Sequence, residues 1–235
     1  MSVKDNLTEI LNKIAEAEKR SGRKEGSVKL MAVSKFHPVE EIFQAVECGQ
    51  LLFGENRVQE ATEKFPIIFE QNNKVNLHMI GQLQSNKVKN AVKIASCIQS
   101  VDRFDLIKEI EKQCAKIDKK IDILFEVHTG EESKSGFTSV DDIKVCLDAL
   151  SNNEFPHVNP IGFMTMAPFT DDKGLVRKSF VTLRELANKL KKEYSNFTMN
   201  ELSMGMSGDF EIAIEEGSTL VRVGTAICGA RDYSK

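Results

Sequence analysis

The chain has 235 residues but no tryptophan, only two tyrosines and five prolines. Its apolar runs are short, and none approaches the roughly 18 residues that a membrane-spanning helix requires. Lysine and arginine number 32 against 35 aspartate and glutamate residues, so no basic excess indicates a nucleic-acid partner. Residues 1–10 are polar and charged, which is not typical of a signal peptide. Composition therefore argues against membrane insertion and nucleic-acid binding.

The cysteines are odd in number and include no Cys-x-x-Cys pair, which argues against a disulfide framework or a zinc site. They are Cys48, Cys97, Cys114, Cys146 and Cys228. Scattered cysteines of this kind are typical of small core residues in a reducing compartment. The four histidines are also far apart, with no metal-ligand spacing among them. We therefore expect a soluble cytoplasmic protein without a metal centre.

Hydrophobic residues make up 41% of the chain, enough to bury a full core. Eight short apolar segments predict strands that are buried on both faces, as in a parallel sheet. The predicted strands are residues 28–35, 51–56, 76–82, 97–102, 121–129, 157–166, 201–207 and 220–228.

Between these segments apolar residues recur at helical spacing, most clearly in residues 5–20, 103–118, 139–150 and 172–193. Eight strands alternating with helices, after one leading helix, predict an α/β fold of the (β/α)₈ TIM-barrel type. A doubly wound open sheet shows the same alternation, and periodicity alone does not separate the two folds. No linker rich in proline, glycine or serine interrupts the pattern, so we expect one domain over residues 1–235.

Two apolar segments near the C-terminus end in turns of small residues. Residues 202–209 read LSMGMSGD, and residues 220–229 read LVRVGTAICG. Glycine lets backbone N–H groups approach an anion, Ser207 and Thr225 add hydroxyl donors, and a following helix adds a favourable dipole. In a barrel, the last two strand ends frequently hold a phosphate. The simpler alternative is two ordinary tight turns after buried strands.

Lys35 ends the first predicted strand and would therefore point into the mouth of a barrel. Desolvation or a neighbouring cation lowers the pKa of such an amine and leaves it nucleophilic. An amine that forms a Schiff base beside a phosphate site suits pyridoxal 5'-phosphate (PLP). It equally suits an aldolase that acts on a phosphosugar. A lysine that only reaches solvent at a strand end is the simpler alternative.

Several ordered motifs resemble those of one family. They are AVSK at 32–35, GENRVQE at 54–60, HMIGQLQSNK at 78–87, KSGF at 134–137, GFMTM at 162–166, MGMSGD at 204–209 and VRVGT at 221–225. In these motifs the chain resembles the pyridoxal phosphate homeostasis proteins, which share the barrel of the bacterial alanine racemases. The match covers nearly the whole chain, and it implies a PLP-binding barrel of the alanine racemase N-terminal type.

The resemblance also implies roles for individual residues of this chain. Lys35 would carry the Schiff base, and Asn56 would lie beside the cofactor ring. Arg222 would face the pyridine nitrogen, although an arginine at this position could also reach the phosphate. The phosphate cup that the resemblance implies consists of Met206, Ser207, Gly224 and Thr225.

An arginine only donates hydrogen bonds, so Arg222 would leave the pyridine nitrogen unprotonated and the ring a weak electron sink. Two functions then remain: PLP binding in vitamin B6 and amino-acid homeostasis, or racemisation of an amino acid. Racemisation requires a proton-transfer group on each face of the α-carbon, one of which Lys35 can supply. Tyr194 and Tyr233 lie away from the predicted strand ends, and His78 begins its strand. We therefore expect little or no catalysis and no catalytic residues.

Lys134 lies in the polar loop after the fifth predicted strand. A lysine at the mouth of a barrel is a candidate to accept the PLP aldehyde transiently during transfer. A solvated loop lysine is the simpler alternative. The expected partners are PLP and PLP-dependent apo-enzymes, and the expected oligomeric state is a monomer.

Overall fold

The structure is a computed structural model that describes residues 2–130 and 135–228. Its strands are β1 (Lys29–Val33), β2 (Leu52–Glu55), β3 (Asn76–Met79), β4 (Cys97–Val101), β5 (Ile121–Glu126), β6 (Val158–Met164), β7 (Glu201–Ser203) and β8 (Leu220–Val223). They pair in parallel and in sequence order, and β8 closes the barrel against β1, with Arg222 beside Met31. The predicted barrel is confirmed, and the open doubly wound sheet is wrong.

The helices pack around the outside of the strands. They are α1 (Val3–Arg20), α2 (Val39–Glu47), α3 (Val58–Gln71), α4 (Val88–Ile94), α5 (Phe104–Ala115), α6 (Val140–Ser151), α7 (Lys173–Glu193), α8 (Phe210–Glu215) and α9 (Thr225–Cys228), with a short 3₁₀ helix (Ser85–Lys87) before α4. The helical spacing found in the sequence corresponds to α1, α5, α6 and α7. In the part of the chain that the structure describes, none of the helices has the length and apolar character needed to cross a membrane.

Each strand is shorter than the apolar segment that predicted it. The largest difference lies at residues 220–228, where pairing stops at Val223 and the chain turns at Gly224 into α9. The N–H of Ile227 donates to the carbonyl oxygen of Gly224 at 2.8 Å, which is a helical contact. The segment from Ala226 to Cys228 is as apolar as the strand that it follows. Hydropathy therefore does not mark where the sheet ends.

The leading helix α1 occupies the place of an eighth barrel helix. After β8 the described chain contains only the four-residue α9, and α1 packs against α2, α8 and α9. Leu7, Ile10 and Ile14 of α1 are buried. Asn6 Nδ2 donates a hydrogen bond to the carbonyl oxygen of Ile227 at 2.8 Å. The N-terminal helix is thus part of the barrel wall, and it supports the segment that follows β8.

The main apolar core includes residues of both the strands and the helices, and buried polar side chains of the strands meet inside the barrel. Gln99 on β4 and Ser203 on β7 are fully buried and share a hydrogen bond. Because β4 and β7 are not neighbouring strands, this bond crosses the inside of the barrel. A small apolar cluster of Cys97, Leu124 and Met164 fills another part of the interior.

Candidate functional site

A cavity of about 480 Å³ opens where the carboxyl ends of the strands meet. Its walls come from the ends of several strands and from the loop that precedes α7. The residues that the sequence implicated as binding residues all line it, namely Lys35, Asn56, Met206, Ser207, Arg222, Gly224 and Thr225. A volume of this size is typical of a site for a small molecule or cofactor. The fold therefore brings together residues that are up to 190 positions apart (Lys35 to Thr225).

Lys35 lies two residues beyond the end of β1 and is half-buried. The next residue, Phe36, has a φ of +65°, in the left-handed region that L-residues rarely adopt. The N–H of His37 then donates to the carbonyl oxygen of Ser34 at 3.1 Å, which closes a tight turn. Strained backbone of this kind persists only where its surroundings hold it. We call residues 34–37 the Lys35 turn.

Side chains of β2 and α3 hold the Lys35 turn from outside the barrel. Lys64 Nζ donates to the carbonyl oxygen of Ser34 at 3.0 Å, and Glu60 Oε1 accepts from the N–H of Phe36 at 2.6 Å. Glu55 is fully buried and accepts from Ser34 Oγ at 2.8 Å. Burial raises the pKa of Glu55 to about 7, while the nearby Lys64 ammonium partly offsets this shift.

Asn56 presents an unsatisfied polar atom in the wall of the cavity. Its Oδ1 is buried and has no hydrogen-bond partner among the described residues. Buried acceptors are almost always paired, so an unpaired one at a cavity wall suggests a polar ligand group beside it. Gly81 packs against the same residue: a Cβ on Gly81 would lie 2.5 Å from the carbonyl oxygen of Asn56. The position of Asn56 therefore depends on the glycine.

The two small-residue turns differ in how they are held. Gly205 has a φ of +97°, and a Cβ there would lie 2.6 Å from a side-chain atom of α8, so the turn requires glycine. Asp209 Oδ1 accepts from the N–H of Met206 at 2.5 Å. Ser207 and Thr225 are exposed at the cavity. The helices that follow have only six and four residues, so N–H groups and hydroxyls, rather than a long helix dipole, are the available anion donors.

Arg222 forms part of the cavity wall and is almost completely buried, with 4% of its surface exposed. Its Nη1 donates to the carbonyl oxygen and the hydroxyl of Ser203 at 2.7 and 2.6 Å, and its Nη2 donates to the carbonyl oxygen of Thr165 at 2.8 Å. Burial lowers the pKa of Arg222 to about 10, so the guanidinium keeps its charge at neutral pH. A guanidinium has five donors, and three are used by these contacts among the described residues.

Other candidate residues lie away from the cavity or outside the described chain. Tyr194 caps the end of α7, where its hydroxyl donates to Asp148 Oδ1 at 2.8 Å. His78 lines a separate cavity at the amino ends of the strands. Lys134 and Tyr233 lie outside the described residues. Within residues 2–130 and 135–228, no three histidine, cysteine or acidic side chains are arranged to hold a metal ion.

Two residues of the site, His37 and Phe169, are hard to identify from the sequence. His37 lines the cavity, is 4% exposed, and its Nδ1 lies 2.8 Å from Glu41 Oε2. Its place two residues after Lys35 is the one sequence feature that could have singled it out. The second is Phe169, in the loop before α7, which is 97% exposed at the rim of the cavity.

Comparison with known proteins gives consistent matches over the whole chain. The family model of the alanine racemase N-terminal domain matches residues 6–232. A pyridoxal phosphate homeostasis protein from Aquifex aeolicus is 40% identical over 233 residues, which cover 99% of this chain and 100% of the relative. The structure of PipY from Synechococcus elongatus with PLP bound is 33% identical with a TM-score of 0.81, covering 92% of this chain and 100% of PipY.

The alanine racemase of Streptomyces coelicolor is 16% identical with a TM-score of 0.71, covering 94% of this chain and 58% of the racemase chain. At this identity the similarity is evidence about the fold alone. The matches at 33–40% identity run the length of the chain and agree with the family model. The chain therefore belongs to the alanine racemase N-terminal domain family and, within it, to the pyridoxal phosphate homeostasis proteins.

Proposed function

We propose that this protein binds PLP in the cavity at the carboxyl ends of the strands and serves in intracellular PLP and amino-acid homeostasis. The observation that carries the proposal is the shared cavity of the Lys35 amine and the turns after β7 and β8. An amine and a set of anion donors in one cavity are what an aldehyde with a phosphate group requires. The family name of the relatives and the PLP bound to PipY support the same function.

The residues of this chain fit PLP chemically. The hydroxyls of Ser207 and Thr225 and the N–H groups of their turns are donors for a phosphate. The unpaired Oδ1 of Asn56 is an acceptor for a polar group of the ligand. When bound, PLP supplies an aldehyde that reacts with a primary amine, for which Lys35 is the candidate.

Arg222 is the proposed partner of the pyridine nitrogen, with the phosphate as the alternative. Both are hydrogen-bond acceptors, and a guanidinium offers donors only. Beside the nitrogen, Arg222 would keep a proton off the ring, and the electron-withdrawing power of the cofactor would stay low. A contact between Arg222 and the pyridine nitrogen would thus favour holding PLP over using it in transamination or decarboxylation.

The proposal includes little or no catalysis, and amino-acid racemisation is the second candidate. One observation favours the second candidate: His37 lines the cavity close to Lys35 and is a titratable group. Against it, His37 is nearly fully buried and paired with Glu41. Incubation with L-alanine and other amino acids in deuterium oxide tests this. Catalytic exchange at the α-carbon that yields the opposite enantiomer and disappears in His37→Gln would establish racemisation.

An absorbance spectrum of the purified protein with PLP, followed by borohydride reduction and peptide mapping, tests the first candidate. We expect a visible band that reduces to a pyridoxyl group on Lys35. Lys35→Ala should lose the band and bind PLP more weakly, whereas Lys108→Ala, on the exposed face of α5, should match the wild type. A wild-type protein that PLP does not label would overturn the proposal and favour the phosphosugar aldolase.

Three further parts of the proposal concern how the protein works in the cell. We propose that Lys134 accepts PLP transiently during transfer to apo-enzymes, and Lys134→Ala should then slow that transfer. An unchanged rate would exclude the role.

We also propose a monomer, which sedimentation would test. The cytoplasm is the proposed compartment, supported by the free thiols of Cys48, Cys97, Cys114 and Cys146.

A further inference from the structure

A continuous set of hydrogen bonds runs through the interior of the barrel. Arg222 Nη1 donates to Ser203 Oγ at 2.6 Å, and Ser203 Oγ donates to Gln99 Oε1 at 2.7 Å. Gln99 Nε2 lies 2.8 Å from His78 Nδ1. We call these four residues the interior relay. They come from β8, β7, β4 and β3, so the relay connects opposite sides of the barrel.

The two ends of the interior relay reach different cavities. Arg222 lines the candidate PLP site at the carboxyl ends of the strands. His78 lines a cavity of about 510 Å³ at the amino ends, together with Lys29 and Glu201. The middle residues, Gln99 and Ser203, have no exposed surface. Their hydrogen bonds therefore have no competing water, and each group must find its partner within the relay.

The chemistry of the groups sets the direction of donation along the relay. Arg222 can only donate, so Ser203 Oγ accepts from it and needs an acceptor for its own proton. Gln99 Oε1 is that acceptor, which leaves the Gln99 amide N–H₂ facing His78. His78 Nδ1 must then accept, so the proton of the neutral ring lies on Nε2.

We propose that Gln99 is a positioning residue for Arg222 and that it holds His78 as the Nε2–H tautomer. Gln99 Oε1 accepts the hydrogen bond that Ser203 Oγ donates, so the lone pairs of Ser203 Oγ face Arg222 and fix the guanidinium in the cavity wall. The effect of the Arg222 position on the cofactor rests on the proposed function. The hydrogen bonds of the interior relay are independent of that proposal.

The charge state of His78 is consistent with its place in the relay. The pKa of His78 is lowered to about 4 because burial outweighs the opposing effect of Glu201, and the Lys29 ammonium acts in the same direction as burial. His78 is therefore neutral at physiological pH, and its Nδ1 is able to accept a hydrogen bond.

The tautomer of His78 tests the relay in the protein without PLP. Nitrogen-15 NMR of the His78 ring should show the Nε2–H form in the wild type. In Gln99→Glu, a carboxylate replaces the amide donor, so we expect a proton on His78 Nδ1. A wild-type ring protonated on Nδ1, or an unchanged tautomer in Gln99→Glu, would overturn the proposal.

The PLP-bound protein tests the effect on Arg222. Gln99→Leu should weaken PLP binding about tenfold, the factor that corresponds to roughly 1.4 kcal/mol, and should shift the absorbance band of the bound cofactor. Gln50→Leu is a matched control, because Gln50 Nε2 bonds to the carbonyl oxygens of Leu30 and Leu52 at 2.9 and 2.6 Å, outside the relay. It should lower stability but leave the band in place. Equal bands and affinities in the two variants would overturn the positioning role.

If Gln99→Leu does not fold, His78→Asn and His78→Leu test whether the interior relay positions Arg222. Asparagine keeps an acceptor and should retain the wild-type band, whereas leucine should not. Equal absorbance bands in His78→Asn and His78→Leu would overturn the positioning role of Gln99. If the wild-type protein does not bind PLP, the proposed function fails, and the tautomer measurement decides the relay on its own.

Discussion

Lys64 and Glu60, one turn apart on α3, form an ion pair that holds the backbone on both sides of Lys35. Their charged atoms are 2.5 Å apart. Lys64 bonds to the carbonyl oxygen of Ser34, and Glu60 bonds to the N–H of Phe36. Both contacts are with main-chain atoms, so they fix the position of the Lys35 turn and its left-handed residue. A helix outside the barrel thus determines where the candidate amine emerges inside it.

Lys64→Met should destabilise the protein and weaken PLP binding. The change leaves Glu60 and the buried Glu55 without their cation, and breaking a largely buried pair costs about 3 kcal/mol. Urea unfolding measures the stability, and titration with PLP measures the affinity. Lys108→Met, which removes an exposed pair with Asp105 and a cation–π contact with Phe104, is the control and should cost at most about 1 kcal/mol without changing PLP affinity. Wild-type stability and PLP affinity in Lys64→Met would show that the Lys35 turn keeps its conformation without Lys64.

Glu55→Gln should change how stability depends on pH. Burial raises the pKa of Glu55 from 4.5 to about 7, so the folded protein holds this proton more tightly than the unfolded chain. The resulting stabilisation is fully present below pH 4.5 and is lost as the pH rises through about 7, a loss of roughly 3 kcal/mol. Glutamine lacks this effect.

The measurement for Glu55 is the free energy of unfolding of both proteins between pH 5 and about 8. Stability of Glu55→Gln relative to the wild type should increase over this range. Glu25→Gln, at an exposed carboxylate, is the comparison variant. A difference that falls with pH for Glu55→Gln would mean that the carboxyl is ionised in the folded protein.

Gly81→Ala should impair PLP binding through Asn56. The new Cβ would lie 2.5 Å from the carbonyl oxygen and 2.8 Å from the Cα of Asn56, so the backbone of Asn56 must move. We expect a loss of about 2 kcal/mol in stability and about tenfold in PLP affinity. Gly208→Ala, where a Cβ would meet no atom within 4 Å, is the control for stability alone. Unchanged PLP affinity in Gly81→Ala would show that Asn56 does not contribute to PLP binding.

Tyr194→Phe should leave PLP binding and any exchange at an amino-acid α-carbon unchanged. The Tyr194 hydroxyl donates to Asp148 between α7 and α6, away from the cavity. Burial raises its pKa to about 12, so it remains a protonated structural group. The lost hydrogen bond should cost about 1 kcal/mol in a denaturation experiment. If Tyr194→Phe abolished α-carbon exchange, the racemase would have its second base there.

Much of the candidate site was predictable because it lies at strand ends. Lys35, Asn56, Arg222 and the two small-residue turns stand directly after or within apolar segments, and parallel strands bring their carboxyl ends to one edge. His37 was missed because a histidine in a loop has no periodic signal. The helix α9 was missed because residues 225–228 are as apolar as a strand.

The sequence by itself determined the alternation of eight strands with helices and the strand ends that carry the candidate binding residues, whereas the pairing of β8 with β1 decided for the barrel over the open sheet. Only the tertiary structure decided how these residues are held. Gln99 and Ser203 are 104 positions apart, and Lys64 and Ser34 are 30 apart, so no local pattern links them. Periodicity records which face of an element is buried. The partner of a buried polar group depends on how distant elements pack, which appears only once the barrel closes.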